Sequence, residues 1–354
     1  MDASDDRDRL YGVMGLATDA FLLQVDYSLK AEEVYKRFTE CFIRYHKSLD
    51  IICFASRYTP PPGAIRPSWV PDWQKLHSEV IPSLTSQSSK SHIGNLRSPT
   101  FIDSDPLVYY SASGNKRAVF AFDGSSLQLR GVAVDIIDGL AGSRQFDMVQ
   151  SSEWTPTQAA SVSSSLCFTT TILESVCRCI AFDRSDRFLR YPMPLADFLR
   201  DFRGLLSRLA ATSKEPVPQD LLDWFQWTRF LQIQGRSFED IVRNALHTDE
   251  DPLGTAPNMD EFQQDTFFGR FFDTVVRLAF RLMVSRSGRI GMVVEKAMKG
   301  DIICVLYGCS VPVVLRESVD RGKYTLVGEC YLDGCMDGSF LDHAGPQESK
   351  FILL

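Results

Sequence analysis

Asp301-Ile302-Ile303-Cys304-Val305-Leu306-Tyr307-Gly308, then Val311-Pro312-Val313-Val314-Leu315-Arg316, then Lys323-Tyr324-Thr325-Leu326-Val327-Gly328-Glu329-Cys330-Tyr331-Leu332 form three apolar, β-branched runs in close succession. Gly300-Asp301, Gly308, Arg321-Gly322 and Asp333-Gly334 punctuate them. Short runs of this composition between turn residues read as strands joined by tight turns. With Gly288 to Val294 before them, they predict a small antiparallel sheet or barrel in the last 65 or so residues.

Upstream, residues from about 155 to 284 read as helical. Leu195, Phe198, Leu199, Phe202, Leu205, Leu206 and Leu209 recur at helical spacing. A second helix is predicted over Gln264–Val284. There Phe267, Phe271, Val275, Leu278 and Leu282 make one apolar row, Phe268, Phe272, Val276, Ala279 and Met283 another. Arg270, Arg277 and Arg281 are left on a narrow stripe, read as solvated and partly paired through Asp273. His247 to Asn258 reads as a loop.

The first 150 residues are mixed. A helix is expected over Glu32–Lys47, with Ser28 as its N-cap, and Leu49 to Ala55 is a buried strand or helix tail. Pro60-Pro61-Pro62-Gly63 breaks the chain, and the Ser-rich stretch 78–98 reads as a loop. Ala118 to Phe122 and Ser126 to Ile137 flank Asp123-Gly124, a strong hairpin signal, with Gly131 read as a bulge or bend. The fold class is therefore α+β: a mixed segment with a β-hairpin (1–150), a helical middle (151–285) and a small antiparallel β module (286–354).

Composition agrees with ordinary globular protein. The 354 residues are 44% hydrophobic and 23% charged, which excludes wholesale disorder. The length exceeds what one core usually serves, roughly 250–300 residues, so subdomains are expected. Thirty-eight basic against 45 acidic residues give a net charge of -7, which argues against a general nucleic-acid binder. The acidic start carries no secretory signal, and no run of 18 apolar residues occurs to span a membrane. Nine cysteines without framework spacing read as reduced thiols in a cytoplasmic protein.

For chemistry, Cys304-x4-Cys309 with Cys330-x4-Cys335 is the sharpest pattern, as paired thiols can hold zinc. The spacing is looser than a zinc knuckle, and Cys304 within Ile302–Leu306 reads better as a small hydrophobe. Cys177 and Cys179 lie two apart on a helix, so one is expected in the core and the other partly exposed. The five histidines, His46, His77, His92, His247 and His343, read as surface residues. No Gly-x-Ser-x-Gly, His-Glu-x-x-His, P-loop or dinucleotide fingerprint occurs. Trp69-Val70-Pro71-Asp72-Trp73 suits a strut pinned into the core, or else a recognition surface.

Three segments together resemble the fungal heterokaryon-incompatibility (HET) family. Asp5-Asp6-Arg7-Asp8-Arg9-Leu10-Tyr11-Gly12-Val13-Met14-Gly15-Leu16 is similar to the stretch just beyond that family's HET domain, and Val25-Asp26-Tyr27-Ser28 and Glu33-Val34-Tyr35 follow as they do there. Pro67-Ser68-Trp69-Val70-Pro71-Asp72-Trp73 resembles a second family segment, and the β-rich tail from Gly300 through Tyr331–Gly338 a third. The tail reads Met336-Asp337-Gly338-Ser339 where the family often has Glu after the Gly. Nothing resembles the HET domain's own blocks.

The resemblance implies an accessory or regulatory region, not an enzyme, acting through a protein partner such as a HET domain in cis or in trans, in nonself recognition leading to cell death. It also implies that the chain is the portion left after the family's signature domain. No cofactor, metal, nucleic acid or membrane is expected. The interaction surface is expected at Trp69, Asp72 and Trp73 and at Tyr331, Met336 and Asp337. The competing readings are a small-molecule enzyme of cysteine-hydrolase type and a truncated gene product without selected function.

Overall fold

The computed structural model describes residues 4–14, 16, 23–56, 66–73, 110–144, 165–186, 192–210, 217–247, 259–260, 263, 265–343 and 347–354. The Pro60–Gly63 break, the Ser-rich loop, His77, His92 and the loop after His247 lie outside them.

Helices α1 (Asp8–Met14), α2 (Ala31–His46) and α3 (Asp50–Cys53, continued by a 3-10 turn to Ser56) come first. Strands β1 (Phe120–Asp123) and β2 (Ser126–Leu140) follow, then α4 (Ser165–Ala181), α5 (Leu195–Ala210) and α6 (Gln219–Thr228). A two-stranded hairpin, β3 (Gln232–Ile233) and β4 (Arg236–Ser237), leads into α7 (Phe238–His247) and α8 (Phe267–Phe271). The chain closes with β5 (Phe280–Ser285), β6 (Ile290–Val294), β7 (Ile302–Leu306), β8 (Val313–Glu317), β9 (Lys323–Leu332), α9 (Ser339–His343) and β10 (Glu348–Leu353). The α+β class and the antiparallel tail are thus observed.

The tail strands close on themselves only with help from the first half of the chain. β2 pairs with β5, β5 with β6, β6 with β9, β9 with β8, β8 with β7, and β7 again with β2, all antiparallel. The result is a closed six-stranded barrel, with β1 and β10 added along the free part of β2. At 15 residues β2 is long enough to serve both neighbours because its register shifts twice, between Ala133 and Asp135 and between Ile137 and Gly139. Such irregularities bend a strand and sharpen its twist. Gly131, expected at a bulge or bend, is not a bulge: it is in register with Leu306 and Ser349. Its role is close approach, since a Cβ there would lie 2.4 Å from the Val305 carbonyl oxygen.

Side chains from all six strands fill the barrel: Ile137, Leu140, Met283, Val293, Ile303, Val314, Val327, Cys330 and Leu332, with Cys335 from the following turn. The alternate residues, among them Leu282, Val284, Met292, Cys304, Val313 and Tyr331, face a larger core shared with the helices. A six-stranded barrel is narrow enough to be plugged by its own side chains. With both faces covered, its strands need no polar alternation.

That double burial overturns the helix expected over Gln264–Val284. The helix runs only from Phe267 to Phe271, capped by Thr266, whose hydroxyl accepts from Gly269 N at 3.1 Å. It loosens into a π-turn over Phe272–Arg277, and Ala279 at φ 53 ends it. Phe280–Ser285 is β5, buried at every position. An apolar run buried on all sides has the same signature in either structure. The Gln232–Ser237 hairpin also interrupts the helical middle, turning on Gln234 and Gly235 at φ 49 and 82.

One smaller expectation is corrected as well. Ser28 does not cap α2: its hydroxyl donates to Asp26 Oδ1 at 2.6 Å, and Lys30 occupies the N-cap. Leu49 to Ala55, open between a buried strand and a helix tail in the sequence, is helical from Asp50 on, as a short helix of its own with Leu49 at its N-cap. In the helical layer α4 packs on α5, α7 and β6. Trp224 of α6 sits edge-on to Phe238 and Phe271, with ring centroids at 5.7 and 5.6 Å. No helix among the described residues is long and apolar enough to cross a membrane.

Candidate functional site

The residues expected at an interaction surface fall into two groups at opposite ends of β9. Ser68, next to Trp69, receives the amide of Leu326, whereas Tyr331, Met336 and Asp337 sit at or beyond the strand's other end. In the first group Trp69 has no exposed surface. Its Nε1 donates to the Ser125 carbonyl at 3.1 Å and its ring lies 5.7 Å from Phe122. Asp72 is buried and pairs with Arg66 at 3.0 Å. Trp73 stands edge-on to Tyr35 and Phe38, both at 5.4 Å. This segment is a strut that ties α2 to the β1–β2 hairpin, and as a recognition surface it offers only the partly covered edge of Trp73.

In the second group Tyr331 and Met336 are buried. Tyr331 stacks on Phe182 at 5.9 Å, and burial pushes its phenol well above the ordinary range. Met336 Sδ accepts from Leu332 N. Only Asp337 is exposed, where it accepts from Ser339 N and Oγ in a tight turn.

The same barrel end carries a cleft of about 170 Å³ lined by Thr171, Ile172, Ser175, Gln234, Gly288, Arg289, Ile290 and Asp333. Four elements build it: α4, the β3–β4 hairpin, the turn that ends β5 and the turn that ends β9. Ser175 donates to Asp333 Oδ2 at 2.6 Å. Gln234 Nε2 reaches the Gly288 carbonyl at 3.4 Å. Arg289 stands over the Phe340 ring at 5.5 Å and donates to Cys335 Sγ at 3.8 Å. A carboxylate, an arginine and a hydroxyl at the rim suit contact with a polar partner. The positive-φ Gln-Gly turn is the sequence signal that marks this corner.

The structure also holds a buried ionic cluster whose arginines were expected on a solvated, partly paired stripe. Arg270 and Asp273 are buried, and Arg270 and Arg277 bracket the Asp273 carboxylate at 3.4 and 3.2 Å. The Arg281 guanidinium, drawn into β5, donates to the carbonyls of Ala141, Glu295 and Ala297, and burial lowers its pKa to about 10. Arg184 lies 4.2 Å over Tyr110, whose hydroxyl donates to the Phe182 carbonyl at 2.5 Å. Arg184, Arg270, Asp183 and Glu329 all act electrostatically on that phenol, and burial sets it up at about 12. The pairing of Asp273 with Arg270 and Arg277 follows their three- and four-residue spacing, whereas the burial of the cluster is imposed by the barrel and helices together.

The thiols are core residues. Cys304, Cys330 and Cys335 are buried, and desolvation raises each, Cys335 to about 11. Cys177 and Cys179 are both buried, because α4 is covered on one side by helices and on the other by β6. Among the described residues no group of three His, Cys, Asp or Glu side chains is placed to hold a metal ion. His46 packs on Phe42 and Tyr45, at 4.4 and 4.8 Å.

Residues 219–353, from α6 to β10, match the family model described as the Het-6 beta-barrel domain. Five of the six barrel strands fall in that span, and β2 supplies the sixth from outside it. A curated relative, Heterokaryon incompatibility protein 6, OR allele, of Neurospora crassa, is 36% identical over 66 residues, 18% of this chain and 10% of that protein. The matched stretch thus spans about a tenth of the relative's length. No solved structure matches. The barrel region of this chain is thus similar to the Het-6 beta-barrel domain, and a short stretch of the chain is similar to a curated fungal heterokaryon-incompatibility protein.

Proposed function

We propose that this chain is a non-catalytic accessory region that regulates a HET-type response, in nonself recognition leading to cell death in the cytoplasm. The observation that carries the reading is the plugged barrel matched to the Het-6 beta-barrel domain, with its helical layer packed as one interior. A barrel filled by its own side chains is a scaffold that presents its rim turns to a partner. The cleft at Arg289 and Asp333, together with the exposed turn at Asp337, is where that partner binds, and a HET domain, in cis or in trans, is the proposed occupant. The cysteine-hydrolase reading draws no support from the thiols. Burial raises Cys177, Cys179, Cys304 and Cys330, the reverse of what an attacking thiolate needs.

The test is co-expression of the full chain with a HET domain from a related fungal protein, scored for co-purification and growth arrest. The proposal expects binding and a change in arrest, both weakened by Arg289→Glu with Asp337→Lys. No binding and no effect on growth rejects it.

A further inference from the structure

The closest thiol pair in the described fold joins its two halves. Cys53 ends α3 and Cys309 sits in the turn after β7, 256 residues later, with their sulfurs 3.7 Å apart and both side chains buried. The neighbourhood locks the pair in place. Leu49 N donates to the Gly308 carbonyl at 2.9 Å, and Ser310 donates its amide and its hydroxyl to the Asp50 carboxylate, each at 2.7 Å. The Asp50 amide donates to the Ser48 hydroxyl at 3.2 Å, and the Ser48 and Cys309 side chains both favour the ionised Asp50 carboxylate. The two sulfurs are thus in contact, and the Cys309 side chain acts electrostatically on the Asp50 carboxyl.

We propose that Cys53 and Cys309 form an oxidant-driven disulfide that staples the N-terminal helices to the barrel. The sulfurs need to close by about 1.7 Å to reach the bonded distance of roughly 2.05 Å. With hydrogen peroxide as the oxidant, the Asp50 carboxylate takes the Cys309 proton and the thiolate attacks one peroxide oxygen. The O–O bond breaks, leaving a sulfenic acid, and the departing hydroxide is protonated to water. Cys53 sulfur then attacks the sulfenic sulfur, the S–S bond forms, the S–O bond breaks, and a second water leaves with the Cys53 proton. Two thiols and one peroxide become one disulfide and two waters. Peroxide suits the site because it is small, and the pair lies beneath the surface. Oxidised, the junction is closed covalently across most of the chain, which restricts the unfolded state strongly.

The experiment treats the folded full chain with hydrogen peroxide, quenches free thiols, and maps peptides without reduction. The proposal expects the nine thiols to fall to seven, a single link between the Cys53 and Cys309 peptides, and a melting temperature raised by several degrees and reset by dithiothreitol. Cys53→Ser and Cys309→Ser each abolish the link and the shift, and Cys41→Ser leaves both. If a serine variant does not fold, the wild-type map alone decides. Nine thiols remaining in peroxide-treated native protein, or links through other cysteines, overturn the proposal.

Discussion

Ser68 and Leu354 are 286 residues apart and joined by two hydrogen bonds. The Ser68 amide and hydroxyl both donate to the Leu354 carbonyl, each at 2.6 Å. The same hydroxyl accepts from Leu326 N at 3.0 Å, and Leu354 N donates to the Tyr324 carbonyl at 2.9 Å. One serine therefore fastens the tryptophan strut, the start of β9 and the chain terminus at a single point. This explains how a short segment between Arg66 and Trp73 holds its place.

Ser68→Ala removes one donor and the acceptor for Leu326 N while sparing the backbone bond. A partly buried amide left without its acceptor costs about 1–3 kcal/mol. Urea unfolding of the variant should lose that amount, and Trp69 fluorescence should shift red as the strut loosens. A midpoint unchanged from wild type would show that the clamp is redundant.

Gly131 is the tightest point of the barrel wall. An added Cβ meets the Val305 oxygen at 2.4 Å and Leu306 Cα at 2.9 Å, both backbone atoms that cannot turn aside. Gly131→Ala should cost roughly 3 kcal/mol or more through forced separation of β2 from β7. Gly300→Ala, with open space around it and only φ 93 against it, should cost about 1 kcal/mol. Thermal melts of both distinguish close approach from backbone strain, and equal losses would refute the assignment at Gly131.

Much of the fold was legible where local chemistry decides it. Asp123-Gly124 marks the hairpin, with Gly124 at φ 59, and β7 and β9 begin and end within two residues of Gly300, Gly308, Gly322 and Gly334. The barrel's closure was not legible, because β2 enters it from a separate part of the chain and does so through two register shifts. Phe280–Ser285 was misread since burial on both faces erases the period that separates strand from helix. Arg270 and Arg281 were expected on a solvated, partly paired stripe because spacing alone says nothing of which side chains the tertiary fold buries. At the candidate site the turn glycines were visible, and of Tyr331, Met336 and Asp337, expected together at a surface, only Asp337 is exposed, while the Ser175–Asp333 contact needs α4 and β9 to meet.

Asp273 holds two guanidiniums inside the protein and is itself fully buried. Asp273→Asn leaves Arg270 and Arg277 facing each other without a counter-charge, a change that costs about 3–5 kcal/mol when a buried pair is broken. The double variant Arg270→Met with Asp273→Leu should recover most of that loss, since both fully buried charges go and Arg277, which remains, is partly exposed. Guanidinium unfolding of the two variants provides the comparison. A double variant as unstable as the single one would mean that the cluster is needed for more than its own neutralisation.

Asp50 offers a pH-dependent test of the α3–barrel junction. Desolvation raises its carboxyl from 3.8 to about 6, outweighing the bonds it accepts from Ser310 and the opposing influence of the Ser48 and Cys309 side chains. A group whose folded pKa exceeds its unfolded one favours the fold when protonated, and that contribution is lost as pH rises through the folded value. The Asp50 contribution is thus complete below about pH 4 and gone above about pH 6, a change on the order of 3 kcal/mol in the direction of lower stability at higher pH. Asp50→Asn keeps an acceptor for Ser310 and cannot ionise. Its stability profile between pH 4 and 6.5 should lack this component, so that the difference between wild type and variant changes across the window. A constant difference across that range would show that Asp50 does not titrate between those limits, and that the Ser310 bonds, not burial, set its ionisation.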